Sequence, residues 1–289
     1  MKAPAFTYHA PRTVAEAVSL LGRLDNARVL AGGQSLMPML NLRIAAPDHL
    51  IDLGRVAGLT GIEDRGSVIA IGAMTTQRTL ERSELVRNNI PLLAHAVDHV
   101  GHQQTRNRGT LGGSICHLDP SAELPVAAAA LDAVLTVEGS TGRRRIPFTE
   151  FPAGYLTNAL APDEILVEIE FRKAGPRGGA AFMEFNRRPA DFAVVSVAIE
   201  VCLGSRDHIE RVAIAVGGIA FAPVRMTEIE AALAGRPFAA ATLAEALGSF
   251  DSIDVDGDDI YPSDFRRELC GVLTERALKA AIQSAGGHA

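Results

Sequence analysis

Apolar residues at the start of the chain recur with two alternating periods. Val14, Val18, Leu21 and Leu24 lie three or four positions apart behind Thr13-Val14-Ala15-Glu16, a capping-box pattern, which predicts a helix that ends near Leu24. Residues 28–31 predict a short strand running into Gly32-Gly33-Gln34-Ser35; residues 36–44 then have helical character and 49–53 return as a strand. This is a βαβ-like unit with a glycine turn after its first strand.

Past Thr60 the order changes. Residues 67–73 and 134–138 predict strands, 80–88 and 91–100 helices, and 164–172 alternates like a half-buried strand. Between them residues 101–114 are polar and glycine-rich, without a helical or strand period, followed by a helix over 121–130; that stretch is a candidate site loop. Gly175-Pro176-Arg177-Gly178-Gly179 predicts a linker. After it, 192–203 and 208–219 form two long apolar strands around a hairpin signal at 204–207, and 227–233, 241–247 and 263–284 predict helices.

Composition narrows the classes of function. With 289 residues, 47% of them hydrophobic, the chain has material for two or three compact units. A net charge of -6 gives no electrostatic basis for a nucleic-acid or anionic-membrane partner, and Arg143-Arg144-Arg145 suits a solvated hairpin. The N-terminus lacks the apolar core of a signal peptide, and no run of about 18 apolar residues predicts a membrane span. Cys116, Cys202 and Cys270 are odd in number and far apart, so they predict neither a disulfide framework nor a cysteine-ligated cluster; a reducing cytoplasm fits this usage.

Two segments carry the chemistry: Ala31-Gly32-Gly33-Gln34-Ser35-Leu36 and Thr110-Leu111-Gly112-Gly113-Ser114. In each, adjacent glycines precede a small polar side chain, which lets backbone approach a phosphate, donate N–H bonds and add a hydroxyl. Glycine pairs are more often plain turns, and Gly178-Gly179, Gly217-Gly218 and Gly286-Gly287 lack the flanking pattern. Neither Gly-x-Gly-x-x-Gly after a strand nor Gly-x-x-x-x-Gly-Lys occurs, which argues against Rossmann and P-loop sites.

The other candidates are weaker. His95, His99 and His102 have helical spacing but no carboxylate or cysteine spaced to complete a metal site, and a partly buried or interface helix explains them better. Asp254-Val255-Asp256-Gly257-Asp258 departs from a calcium loop, with its glycine one position early and Phe265 at position twelve. Ser35 and Ser114 lack a nucleophile-elbow context, and Cys116 beside His117 reads as a buried small apolar group.

The two motifs, with Ile71-Gly72-Ala73-Met74-Thr75-Thr76 and Thr105-Arg106-Asn107-Arg108-Gly109-Thr110, resemble the FAD-binding medium subunit of the carbon monoxide dehydrogenase and xanthine dehydrogenase family, the molybdenum hydroxylases. The resemblance continues through Asp119-Pro120-Ser121-Ala122-Glu123-Leu124-Pro125, Pro162-Asp163-Glu164-Ile165-Leu166, Arg187-Arg188-Pro189-Ala190-Asp191-Phe192-Ala193 and Phe265-Arg266-Arg267, so it covers essentially the whole chain. It implies an α+β fold: a two-part FAD-binding domain of the p-cresol methylhydroxylase type over 1–177, with subdomains of about 1–56 and 57–177, then a smaller domain of antiparallel sheet plus helices over 178–289.

The same resemblance implies site residues. Leu30, Ala31, Gly32, Gly33, Gln34, Ser35, Leu36 and Met37, with Thr110, Leu111, Gly112, Gly113 and Ser114, would hold the pyrophosphate and neighbouring parts of FAD. Val100 and Leu166 match apolar cofactor contacts; Asp119 and Glu123 match acidic positions near the ribose and adenine end. Read from its residues alone, Glu123 is an acidic first-turn residue favoured by the helix macrodipole. Phe192 stands where some members place a tyrosine beside the flavin ring, and at Gln34 and Ser114 relatives often have His and Asn.

As function, the resemblance implies an oxidoreductase subunit that relays electrons from iron–sulfur centres through FAD to an external acceptor, with no catalytic side chain and no metal of its own. Molybdopterin and 2Fe–2S clusters would belong to a large and a small partner subunit, two copies of each chain assembling as a dimer of heterotrimers. A free-standing flavin oxidase is the alternative, but the roughly 110 residues after the linker are a small substrate domain and show no recognisable base. A non-enzymatic nucleotide-binding module is a third.

Overall fold

The computed structural model describes residues 2–205 and 208–287. The chain begins with β1 (Thr7–His9), α1 (Val14–Leu21), β2 (Ala27–Leu30), α2 (Leu36–Asn41) and β3 (His49–Asp52). These strands form a parallel sheet in the order β1-β3-β2, so the expected βαβ unit is present, with a three-residue strand added that the hydrophobic pattern is too short to reveal. Thr13 caps α1 by accepting from the Glu16 amide at 3.1 Å, while the Glu16 carboxylate reaches back to the Arg12 amide at 2.7 Å. Both early helices are shorter than their patterns suggest. The Gly22 amide bonds Val18 at the end of α1, and after α2 Arg43 turns left-handed (φ 59°) so that the Ile44 amide returns to Met39.

The second part contains β4 (Ile62–Asp64), β5 (Val68–Gly72), α3 (Gln77–Arg82), α4 (Glu84–Asn89), α5 (Pro91–His99), α6 (Gln103–Arg106), α7 (Leu111–His117), α8 (Glu123–Ala130), β6 (Val134–Gly139), β7 (Gly142–Pro147), β8 (Pro152–Gly154), β9 (Thr157–Asn158) and β10 (Ile165–Arg172). Five strands make an antiparallel sheet in the order β4-β5-β10-β6-β7. The single helix expected over 80–88 is two, because Ser83 is extended (ψ 114°), ending α3 and capping α4 through its hydroxyl to the Val86 amide. The arginine run lies on β7 of the β6–β7 hairpin, where Arg143 pairs with Glu138, Arg144 with Glu164 and Arg145 with Glu170.

The third part is β11 (Gly178–Asn186), β12 (Ala193–Leu203), β13 (Ile209–Gly217), β14 (Val224–Arg225), α9 (Thr227–Leu233), α10 (Ala240–Leu247) and α11 (Ser263–Ser284), its four strands antiparallel in sequence order. The β12–β13 hairpin is as expected; part of its turn, Arg206 and Asp207, lies outside the described residues. Gly178 and Gly179, read as linker, instead open β11 and pair with Cys202 and Val201. Periodicity missed that strand because glycine and alanine supply little hydrophobic contrast.

Three cores organise the molecule. The largest lies between the five-stranded sheet and helices α5, α7 and α8, and it takes in Ala180, Phe182, Ala198 and Ala215 from the third sheet. Every residue of α8 is buried, so this helix is the shared layer between the second and third parts. A small core joins α1 and the parallel sheet to Met74, Ile165 and Val167, and another packs the third sheet against α9, α10 and α11. The overall class is α+β, helices with mainly antiparallel sheet and one small parallel sheet.

Candidate functional site

The first glycine motif leaves β2 at Leu30 and enters α2. Gly33 takes φ +74°, a left-handed conformation that side chains disfavour. Among the described residues, no chain acceptor meets the amides of Gly33, Gln34, Ser35 and Leu36; the next amide, Met37, bonds Gly33, and Pro38 has no N–H. The Ser35 hydroxyl makes no capping bond, Gln34 Nε2 donates to the Gly32 carbonyl at 3.2 Å, and both side chains are exposed. Four consecutive free amides on an open turn, reinforced by the α2 dipole, form a surface suited to a phosphate.

The second motif works differently from the expectation. It is no loop: Thr110 is the N-cap of α7, and α6 occupies residues 103–106. Its amides are already used, by Thr75 for Leu111 (3.0 Å), Ala73 for Gly112 (2.8 Å), the Thr110 hydroxyl for Gly113 (3.0 Å) and the Thr110 carbonyl for Ser114 (3.2 Å). A Cβ on Gly112 would stand 2.7 Å from Ala73, so this glycine seats α7 against the end of β5. What the motif can turn toward a ligand is the Ser114 side chain, which is half-buried.

The two motifs touch. A Cβ on Gly32 would fall 2.1 Å from the Arg108 carbonyl, and one on Gly113 would meet Ala31 at 3.3 Å. Residues nearly 80 positions apart are thereby held in direct contact where the parallel sheet meets the second part.

Val100 (8% exposed) closes α5, Glu123 (8%) opens α8, and Asp119, half-buried, takes the Ser121 amide at 2.9 Å. Leu166 is buried on β10, beside Val167, whose carbonyl accepts from Ala73 under α7. Phe192 does not join this group; it is 72% exposed at the entry to β12. That end of the third sheet abuts the Asp119 loop, because the Gly218 amide bonds Pro120 and Arg266 donates to both Val194 and Gly218.

Sequence reasoning missed Glu184 on β11. His99 Nδ1 lies 3.3 Å from its Oε1, and Asn186 donates to the same oxygen at 2.8 Å, whereas its buried Oε2 has no partner. Helical spacing alone marks His99 in the sequence; in the fold its hydrogen bond to Glu184 raises its pKa against the opposing effect of burial. Burial pushes the Glu123 carboxyl up to about 7 and the Cys116 thiol up to about 12, so Cys116, half-buried against the core, stays protonated. In the calcium-like segment, Asp258 is occupied by the amides of Ile260 and Tyr261 and by Arg266.

Residues 4–173 match the family described as the FAD binding domain in molybdopterin dehydrogenase, and residues 180–281 the CO dehydrogenase flavoprotein C-terminal domain. The chain is 37% identical to the 6-hydroxypseudooxynicotine dehydrogenase complex subunit alpha of Paenarthrobacter nicotinovorans, over 99% of this chain and 97% of that one. Among solved structures, a carbon monoxide dehydrogenase from Hydrogenophaga pseudoflava superposes with a TM-score of 0.95 at 37% identity, covering 98% and 99% of the two chains. Quinoline 2-oxidoreductase from Pseudomonas putida 86 gives 0.93 at 32% identity, covering 99% of each.

Proposed function

The chain belongs to the FAD-binding medium subunits of the molybdenum hydroxylases, an oxidoreductase family, and on that footing we propose that it holds FAD as an electron relay between an iron–sulfur partner and an external acceptor. The observation that carries the reading is the run of free amides at Gly33, Gln34, Ser35 and Leu36, braced from behind by the Gly32–Arg108 contact. FAD, when bound, supplies the capacity to take up electrons singly and release them in pairs.

The residues of this chain bind and orient. The four amides and the Ser35 hydroxyl receive the pyrophosphate, and Thr110, Leu111, Gly112, Gly113 and Ser114 fix the wall against which that turn rests. Val100 and Leu166 provide apolar contact, Asp119 and Glu123 face the ribose and adenine end, and Phe192 offers an aromatic surface to the ring system. The division into 1–177, itself split near 56, and 178–289 follows the same reading, with α8 as the layer that fixes one domain against the other.

Partners supply the rest: a molybdopterin-binding large subunit and a small subunit with 2Fe–2S clusters, in a dimer of heterotrimers located in the cytoplasm. Among the described residues no helix is long and apolar enough to cross a membrane. Substrate choice is assigned to the large subunit, in keeping with the different substrates named for the relatives, carbon monoxide, a nicotine derivative and quinoline.

The test is spectroscopic. The purified chain should take up FAD and give a flavin absorbance, remain oxidised with candidate substrates when alone, and be reduced by them only in complex with its two partners. A chain that never acquires flavin refutes the cofactor assignment; substrate-dependent bleaching of the isolated holoprotein refutes the relay in favour of a free-standing oxidase.

A further inference from the structure

Beyond the glycine motifs, buried ionisable groups converge where the end of α5, the start of α8 and β11 meet. The Glu184 side chain is 4% exposed, yet its Oε2 is unpartnered, while Oε1 takes His99 and Asn186. Ser196 stands opposite Glu184 in the β11–β12 register, and its buried hydroxyl also lacks a partner. Glu123, 8% exposed, opens the fully buried α8, which packs against α5, the helix that carries His99 and Asp98 and itself packs against β11; Asp119 precedes Glu123 in the adjoining loop. The Phe182 ring closes the other side of His99 at 5.2 Å. Among the described residues no lysine or arginine is ion-paired with Glu123 or Glu184.

Two buried carboxyls beside one imidazole cannot both ionise cheaply, since His99 can balance only one negative charge and no lysine or arginine among the described residues is paired with either. We infer that Glu123, Glu184 and His99 form a proton-holding wall of the FAD site and that FAD binds the chain together with the cluster's proton.

This rests on the reading above that Asp119 and Glu123 belong to the cofactor wall. The pyrophosphate, seated on the Gly33–Leu36 turn, adds two negative charges to the site whose ribose and adenine end Glu123 faces, so FAD makes ionising Glu123 costlier still. Burial already holds the Glu123 carboxyl near 7. FAD affinity should therefore be level below that value and weaken above it, by up to about tenfold per pH unit for one linked proton.

Calorimetric titration of FAD into the full-length apoprotein, in two buffers of different ionisation enthalpy, measures the proton directly. We expect almost no proton uptake at about pH 6, a substantial fraction of one proton at about pH 8, and affinity about tenfold weaker at the higher pH. Glu123→Gln, which cannot ionise, should bind with little pH dependence. Zero uptake at the higher pH with unchanged affinity overturns the inference, as does a Glu123→Gln profile as steep as the parent's. If that variant does not fold, the two-buffer measurement on the parent decides alone. A parent chain that binds no FAD at any pH refutes the cofactor assignment, whereas pH-independent binding refutes only the proton linkage.

Discussion

Replacing Gly32 by alanine tests whether the contact between the two motifs makes the site. The new methyl carbon would lie 2.1 Å from the Arg108 carbonyl oxygen and 2.8 Å from Gly109 Cα, and these are backbone atoms that cannot rotate away. Nor is their segment free to retreat: the Gly109 amide is bonded to Thr105 at 2.7 Å and its carbonyl to the Gln77 amide at 2.8 Å. Restoring normal separation needs a shift of more than about an ångström, and overpacking on this scale costs about 2–3 kcal/mol. For a chain of this size that is roughly 4–10 °C in melting temperature. Because the displaced turn carries all four free amides, FAD affinity should fall at least about tenfold, the equivalent of about 1.4 kcal/mol. Gly33→Ala is the control. Its methyl would meet only the flexible Met37 and Leu30 side chains, at 3.3 and 3.4 Å, so its cost is the left-handed backbone, about 1–2 kcal/mol, and FAD affinity should fall less than in Gly32→Ala. Thermal melts of the apoproteins and FAD titration by flavin fluorescence quenching separate the two. Parental FAD affinity and melting in Gly32→Ala, or loss of FAD only in Gly33→Ala, refute the bracing argument.

Gly112→Val should also abolish FAD retention, but by lifting α7 from Ala73, so the apoprotein itself should melt lower; an apoprotein of parental stability that fails to bind would contradict this. Arg225→Ala removes a tie between the second and third parts, since Arg225 donates to the Ala129 carbonyl at 2.9 Å and pairs with Asp132 and with Glu230, which is 14% exposed. Leaving Glu230 without its cation should cost about 2–3 kcal/mol in urea unfolding, below the full value for a deeply buried pair, and a loss under about 1 kcal/mol would show the tie to be incidental. Arg106 holds Glu81, and Arg144 holds Glu164, below the ordinary carboxylate range, so this stability is present above about 4.5 and lost as pH falls through the lower folded values. Glu123 has the opposite sign: raised to about 7, it contributes below its ordinary value and loses that contribution as pH rises through 7. Apoprotein melting temperature should therefore peak near about pH 4.5–5, fall as the pH rises toward 7 and level off above it, with Glu123→Gln removing the decline between about pH 5 and 7; a parent curve flat across that interval would count against it.

Legibility in the sequence followed physical contrast. Capped, strongly periodic helices and the long valine-rich strands β12 and β13 could be read because their apolar positions repeat over many residues. The three-residue β1 and β4, and β11 with its opening Gly-Gly-Ala-Ala, have too few contrasting positions to register. Boundaries erred where one residue changes the backbone, as at Ser83 and Arg43. The α7 helix escaped detection because two glycines in its first turn argue against a helix. Those same glycines let it pack against Ala73 and Ala31.

The glycine pairs show what local pattern leaves undetermined. Both motifs place two glycines before a small polar residue, and from sequence they look like equivalent halves of a phosphate cradle. In the fold they divide the work: Gly33 frees a turn whose amides have no acceptor in the chain among the described residues, while Gly32 and Gly112 remove side chains so that backbones can meet. An amide's availability depends on which carbonyl lies opposite it, and for Leu111 and Gly112 those carbonyls belong to Thr75 and Ala73, more than 30 positions upstream. Glu123 is ambiguous for the same reason. A first-turn acid on an exposed helix needs only the macrodipole to explain it, but α8 is buried on all sides, and that burial, reinforced by the negative charge of Glu184 on β11, raises the Glu123 carboxyl. The property that makes Glu123 chemically unusual, a carboxyl near neutrality, therefore arises from tertiary contacts that no window around residue 123 contains.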